Sequence, residues 1–418
     1  MRSKLSRQRL IPLLAAIGPG LIAANADNDA GGITTYSLAG ARYGYSLLWV
    51  LLLITISLAV SQEMGARMGV VTGKGFGGLI REKFGARWSA CAIFVMLIAN
   101  LGTTTAEFAG ISTSLQIFGL PSYISVPVAA LTVYFLIAKF DYKRVQKVFL
   151  ISSLLYLTYV VSGVLANPDW SLAAKSVVTP SVSLTTGYLI MFVATVGTTI
   201  TPWGQFFIQS YIVDKRLNTA ELSYARADVY VGAFFTNFIA FFIIVACAAT
   251  IWKTGGHITS AAQAAEALEP LAKGFASTLF AFGLLNASLL GAAILPLTSA
   301  YATCETFGWE AGIDKSPREA PIFFGLFTFF IVVSSIIILI PAVQHNLLNI
   351  LLGSQVLNGI LLPVILIFVL KISNDPSFMG RYTNSRIFNV IAIATTVVMI
   401  ILTVILLISS FVPQLNAG

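Results

Sequence analysis

NADNDAGG, residues 25–32, sets two carboxylates, Asp27 and Asp29, between an apolar run from Leu10 to Ala24 and another that begins at Ile33. Charge at membrane depth is costly and marks a functional position. The two asparagines and two glycines around it favour a broken helix, and a bilayer tolerates non-helical backbone only where it is buried in protein or lines a wet cavity. The stretch therefore has the pattern of a discontinuous helix at a transport site.

Hydrophobic residues make up 57% of the 418 and charged residues only 10%, and the mean hydropathy is +0.86. A fold exposed to water on all sides cannot hide that much apolar surface, so the chain reads as a polytopic, all-α membrane protein. The net charge of +8 is spread over short loops between apolar segments, whereas a nucleic-acid binder clusters its basic residues on one face. Cys91, Cys247 and Cys304 have no metal-ligand spacing and no even count; they read as small core residues. The basic N-terminus and the apolar run after it lack a small-residue cleavage site, so that segment reads as retained.

At about 20 apolar residues per span, eleven spans follow: 10–40 (broken), 44–65, 89–117, 122–138, 148–166, 186–212, 229–252, 275–308, 321–341, 345–371 and 386–412. The sixth carries a second polar interruption, GTTITPWGQ, residues 197–205. With a cytoplasmic N-terminus, 21 of the 25 basic residues fall on the inner side, leaving Arg42, Lys175, Lys253 and Lys273 outside. The C-terminus is then outside. The breaks lie five spans apart, and an odd offset inverts topology, as inverted repeats require. The single membrane domain, residues 1–418, then divides into repeats over 1–166 (spans 1–5) and 186–371 (spans 6–10), with span 11, 386–412, appended.

Asp29 is the leading cation ligand, and freed backbone carbonyls in the breaks, with Gly32 in the first, add oxygens. A cap on the half-helix starting near Ala30 is the alternative role for Asp29, and the two are compatible. Asp27 is either a second ligand or sits on another face, and Asn28 lies between them. In span 6, Pro202 and Gly204 break the helix, while Thr198, Thr199 and Thr201 offer oxygen. Trp203 either shapes the cavity or packs at an interface, and Gln205 and Gln209 add amides or an interhelical hydrogen bond. Glu107 in span 3 is either a proton or cation relay or a hydrogen-bonded core acid. Gln355 and Asn358 share one face of span 10. Glu305 is expected to pair with a basic residue near the inner end; His257 and His345, in outer loops, are assigned no role. No Walker loop, nucleophile elbow or zinc cluster points to an enzyme, and no potassium-channel filter to a pore. The loops are too short for a signalling domain.

With these stretches in view, the chain resembles the Nramp family of divalent-metal transporters over nearly its whole length. GPGLIAANADNDAGG (18–32), AGARYGYSLLWVLLL (39–53), RMGVVTGK (67–74), AEFAG (106–110), LLGSQVLNGILLP (351–363) and SNDPSFMGR (373–381) carry the resemblance together. It implies an amino-acid-transporter-like fold of inverted five-helix repeats, with metal held between broken spans 1 and 6.

The departures bear on substrate. Where the family has Asp-Pro-Gly-Asn, this chain has Asp29, Ala30, Gly31 and Gly32; where the family has Met-Pro-His, it has Thr201, Pro202 and Trp203. Loss of the thioether removes the soft ligand, and oxygen alone suits magnesium, manganese and calcium. The family aspartate three residues before its span 3 glutamate is Thr104 here, and its span 6 histidines align with Trp203 and Ile208. These changes resemble the Nramp-related magnesium transporter branch. The resemblance implies alternating-access carriage of Mg2+ and Mn2+ into the cytoplasm through the cell membrane without proton coupling. Asp29, Asp27, Gly32, Thr198, Thr201 and Gln355 are expected at the ion, and Asn28, Trp203, Gly204, Gln205 and Asn358 at the cavity or gate. No cofactor, nucleic acid or obligate protein partner is expected. A proton-coupled Mn2+/Fe2+ symporter, kept open by Glu107, is the alternative. A sodium-coupled amino-acid-type carrier is a third reading, opposed by repulsion between Asp29 and a solute carboxylate.

Overall fold

The computed structural model describes residues 27–139, 153–256, 258, 261–264, 276–313 and 315–411. The first half of span 1, the N-terminal basic cluster, the start of span 5 and His257 lie outside the described residues. The main helices are α1 (Ala30–Tyr43), α2 (Leu48–Thr72), α3 (Phe76–Phe84), α4 (Ala86–Ile117), α5 (Ser122–Lys139), α6 (Leu157–Leu165) and α7 (Trp170–Val178). They continue with α8 (Thr186–Thr199), α9 (Pro202–Asp214), α10 (Leu222–Thr250), α11 (Ala276–Phe307), α12 (Pro321–Leu339), α13 (Leu347–Ser373) and α14 (Arg386–Phe411).

Among the described residues, seven helices are long and apolar enough to cross a membrane: α2, α4, α10, α11, α12, α13 and α14. With α1, α5, α6 and the α8–α9 pair, each of the eleven expected spans has a helical counterpart. Large apolar side chains such as Phe94, Val128, Ile336 and Ile387 stand exposed, while Asp27, Glu63 and Glu107 are buried. That inversion of the water-soluble arrangement suits a bilayer surround. Two short helices, α3 and α7, fall in stretches read as loops. Burial of Phe76, Leu79 and Ile80 makes α3, and Asp169 caps α7 by accepting from the Leu172 N–H at 2.9 Å. The second helix, α2, runs on to Thr72 past the expected end near residue 65, stopping at Gly73, whose φ of +63° a glycine adopts without penalty.

The helices meet through small residues. Gly197 of α8 lies against the backbone of α13 at Gln355 and Gly359, and Gly359 in turn against Val193. Gly40 of α1 abuts the Ile244 carbonyl of α10. Such contacts let helix backbones touch, which is how helices associate where lipid offers no hydrophobic drive.

The end of the bundle rich in lysine and arginine holds a buried apolar cluster. Met64 and Met68 of α2, Phe76 of α3, Met96 of α4 and Phe206 of α9 form one buried cluster, with Phe76 and Phe206 edge-to-face at 4.8 Å between ring centroids. Beside it, buried Glu63 accepts from Arg67 Nε at 3.1 Å and from Arg226 Nε at 2.7 Å. Arg67 also donates to the Tyr382 carbonyl and, at 2.5 Å, to Asn384 Oδ1, tying α2 to the segment before α14. At the surface Lys83 pairs with Asp375 at 2.5 Å. The Lys83 ammonium, with the Ser377 hydroxyl and N–H, draws the Asp375 carboxyl down to about 2. A depressed carboxyl contributes stability above its unfolded range near 4 and loses it as the pH falls toward 2.

Two expectations need correction. Cys91 is exposed on α4, and only Cys247 and Cys304 are core residues. Glu305 takes its hydrogen bond from Ser210 Oγ at 2.9 Å, and among the described residues no basic side chain pairs with it.

Because Gly359 sits directly on the Val193 backbone, Gly359→Val overpacks the α8–α13 crossing, with a loss of about 1–3 kcal/mol. A lowered thermal midpoint of the purified protein in detergent is the expected result; an unchanged midpoint would show that the crossing has slack.

Candidate functional site

Asp29 stands in an extended conformation ahead of α1, and its Oδ1 accepts the Gly32 N–H at 2.5 Å. It is therefore the helix cap, held where the positive end of the helix dipole favours a carboxylate. The side chains of Glu107 and Gln355 also lie within hydrogen-bonding reach of it. The next free N–H, that of Ala30, donates to Glu107 Oε2 at 3.4 Å, so α1 starts against α4 as well. Glu107 is fully buried, with its carboxyl pressed on Gly291 of α11 and Oε1 without a partner.

The second break separates α8 from α9 at Ile200 and Thr201. Pro202 occupies the first turn of α9, where its missing N–H costs nothing. Thr201 Oγ1 accepts the Gly204 N–H at 3.2 Å. The last carbonyls of α8 have no continuing helix to donate N–H groups to them. The two broken spans join where the Tyr36 hydroxyl meets Thr199 Oγ1 at 2.7 Å, Thr199 itself donating to the Thr195 carbonyl at 2.8 Å.

Oxygens converge over Gly32. A side-chain carbon placed on that glycine would lie 2.8 Å from the Asp27 carbonyl, 3.0 Å from Thr198 Oγ1 and 3.3 Å from Asp29 Oδ1. Thr198 Oγ1 is buried and has no hydrogen-bond partner among the described residues. The donors are a carboxylate, a carbonyl and a hydroxyl, all hard, and Gly32 keeps the space between them clear. Gln355 lies across the neighbouring Gly31, close enough that a Cβ there would strike its amide nitrogen. That amide is oriented by Ser354 Oγ at 3.2 Å and by Asn358 Nδ2 at 3.1 Å, and Asn358 is anchored on Thr103 Oγ1 at 3.0 Å. Among the described residues, no three His, Cys, Asp or Glu side chains gather in metal-binding geometry. The oxygens at Gly32 escape that pattern because two of the three are a backbone carbonyl and a hydroxyl.

The structure thus brings together Asp29, Thr198, Gln355, the Asp27 carbonyl and the space at Gly32, with Glu107 beside them. Others stand apart. Thr201 spends its hydroxyl on the cap of α9, and Gly204 supplies the capped N–H. Asn358 positions Gln355. Asn28 turns to α10, donating to the Thr236 carbonyl at 3.4 Å. Trp203 is fully buried and meets Phe207 at 5.9 Å between centroids. The Asp27 carboxylate accepts from Gln62 Nε2 at 3.3 Å. Gln62 was not singled out in the sequence, although an amide and two charged groups in SQEMGAR (61–67) were the available signal. Gln209 bonds the Lys74 carbonyl at 2.8 Å, an interhelical role.

A polar cavity of about 380 Å³ opens from the end opposite the basic cluster, lined by Thr34, Ser37, Arg42, Gln116, His345 and Asn349 among others. Thr34 lies one turn along α1 from Gly31, and Leu351, also in its lining, one turn from Gln355. His345, assigned no role above, is part of this vestibule.

The model of the family described as natural resistance-associated macrophage protein-like (Nramp) matches residues 20–409. A protein named divalent metal cation transporter MntH from Granulibacter bethesdensis is 25% identical over 409 residues, covering 94% of this chain and 88% of its own. One of the same name from Deinococcus radiodurans is 28% identical over 312 residues, 69% of this chain and 67% of its own. Among solved structures, an Eremococcus coleocola manganese transporter superposes with a TM-score of 0.77 at 20% identity, over 95% of this chain and 86% of that one. A nucleobase-cation-symport-1 family transporter, Mhp1, gives 0.55 at 16% identity, covering 95% and 94%. These likenesses place the helices in the fold shared by such transporters, with its inverted repeats. With the family model spanning the chain from residue 20 to residue 409, this protein belongs to the Nramp family.

Proposed function

We propose that the chain is a multi-pass membrane transporter of divalent metal ions that carries Mg2+ and Mn2+ by alternating access, with Asp29, Thr198, the Asp27 carbonyl and Gln355 at the ion. The convergence of three hard oxygens over Gly32 carries this reading. An Asn in place of Gly32 would fill the space, and a thioether in place of Thr201 would offer sulfur. Neither is present, and oxygen donors with room for water suit Mg2+, which sheds its hydration reluctantly. The relatives' printed names, divalent metal cation transporter and manganese transporter, support the cargo class.

In this reading the ion enters through the vestibule at Thr34 and His345 and leaves at the basic end, which faces the cytoplasm. The N-terminus is then cytoplasmic and the C-terminus outside. Residues 1–166 and 186–371 act as the two repeats around the site, and 386–412 is the appended span. The membrane potential drives a cation inward by about 2.3 kcal/mol per charge per 100 mV. No histidine stands in α9, and Thr104 takes the place of a carboxylate one turn from Glu107, which supports transport without a proton. The hydrogen bond from the Ala30 N–H to Glu107 favours the second reading, a proton-coupled Mn2+/Fe2+ symporter, because it couples a titratable acid to the mouth of the site.

Three outcomes test this. Asp29→Ala removes cap and ligand; the lost cap costs only about 1 kcal/mol, so the variant elutes as folded protein but takes up no Mg2+ or Mn2+ in proteoliposomes, and robust uptake would remove Asp29 from the role. Thr201→Met introduces a thioether at the break and shifts competition for uptake toward Fe2+ and Cd2+; unchanged selectivity would mean that space, not ligand softness, decides. Recording internal Mg2+ and internal pH together at an imposed potential should show Mg2+ entry without acidification. Acidification in step with Mn2+ entry, and no Mg2+ entry, would establish the symporter reading.

A further inference from the structure

The turn ahead of α1 sends its two carboxylates to different neighbours. Asp29 caps α1 beside the oxygens at Gly32, and Asp27 contributes only its backbone carbonyl there. The Asp27 side chain points to α2, where Oδ2 accepts from Gln62 Nε2 at 3.3 Å. Among the described residues, Asp27 Oδ1 and Gln62 Oε1 are buried without a hydrogen-bond partner. Gln205 of α9 is in the same position, with neither amide atom partnered among the described residues and the residue 1% exposed. It lies against α2 one turn beyond Gln62: a Cβ on Gly65 would stand 3.7 Å from Gln205 Oε1, and Gln62 and Gly65 share one helix face.

A buried amide with neither atom satisfied is costly, and native proteins keep such groups where they serve something else. Among the described residues no Lys or Arg forms an ion pair with Asp27; Arg67 and Arg226 are both committed to Glu63. One carboxylate and two amides make an uncharged-to-monoanionic oxygen set, which suits a hard dication that retains several waters. The location follows from α9. Gln205 lies one turn past Thr201 in the direction of Lys215, so these groups are on the basic-end side of the oxygens at Gly32.

We propose that the Asp27 carboxylate, Gln62 and Gln205 form a second, all-oxygen subsite for a partly hydrated divalent cation, occupied after the ion leaves the oxygens at Gly32 for the basic end. This rests on the reading of Asp29 and Thr198 as the transport site. The alternative, that Asp27 and Gln62 form a hydrogen-bonded pair of purely structural value, gives Gln205 nothing to do.

Gln205→Leu separates the two, because it removes an amide that makes no hydrogen bond and so leaves stability equal or higher. The full chain is reconstituted and Mn2+ uptake measured, with Mn2+ binding to the detergent-solubilised protein followed by titration and electron paramagnetic resonance. The subsite predicts that Gln205→Leu melts no lower than the parent protein, keeps its KM for Mn2+, and loses about tenfold in maximal uptake rate, comparable to the loss when a group around a metal is removed. Asp29→Asn should retain weaker Mn2+ binding, and Asp27→Asn combined with Asp29→Asn should abolish it. Parent-like rates and KM in both Gln205→Leu and Asp27→Asn, or loss of all binding in Asp29→Asn alone, would overturn the proposal. Full transport by Asp29→Asn would instead overturn the reading of the Gly32 oxygens as the transport site.

Discussion

A helix that stops inside a bilayer leaves backbone donors and acceptors with no water to take them, and the architecture around Asp29 answers that constraint. Asp29 takes the Gly32 N–H and Glu107 takes the Ala30 N–H. Each acceptor is an acid, so satisfying the backbone gathers carboxyl oxygens at the centre of an apolar protein. On the reading proposed above, the cation-binding centre is a physical by-product of capping α1 with carboxyl groups. The glycines complete it: Gly31 admits Gln355, and Gly32 leaves room among the oxygens.

Much of the fold was legible because bilayer thickness imposes one length on every span. Spans 3, 4, 8, 9, 10 and 11 match their helices to within a few residues. The breaks were legible because Pro202, Thr201 and Asp29 are helix-start residues in places where helices ought to continue. Helices α3 and α7 were not, since nine residues carry no length signal. The start of α10 was missed as well: Leu222–Asp228 is a polar, charged turn of helix ahead of the apolar run. At the site, Asp29, Thr198, Gln355 and Glu107 were recognisable as polar groups at membrane depth. What side chains face was not, because partners are remote in sequence. Asn28 bonds Thr236, 208 positions away, and Asn358 bonds Thr103, 255 away.

The two departures from the family pattern act in different places. Gly32 gives up a side chain and leaves space, while Thr201 gives up a sulfur and turns its own oxygen to the α9 backbone. The residue that keeps an uncommitted hydroxyl is Thr198, three positions earlier. Space therefore comes from Gly32 and the free hard hydroxyl from Thr198, and the site proposed for a hydrated ion uses both together.

The contact of Gly197 with Gln355 and Gly359 has a mechanical meaning. Where two backbones touch, one helix cannot slide along the other without first opening a gap, and packed interiors resist such gaps. Thr198 and Gln355 flank that contact from α8 and α13, so the distance between them behaves as a fixed length. Helix α1 meets this pair through the packing of Gln355 on Gly31 and of Thr198 beside Gly32, and through the hydrogen bond between Tyr36 and Thr199. On the transport reading proposed above, the α8–α13 pair is the fixed wall, and the coordinate that an ion at the site senses is the approach of Asp29 to it.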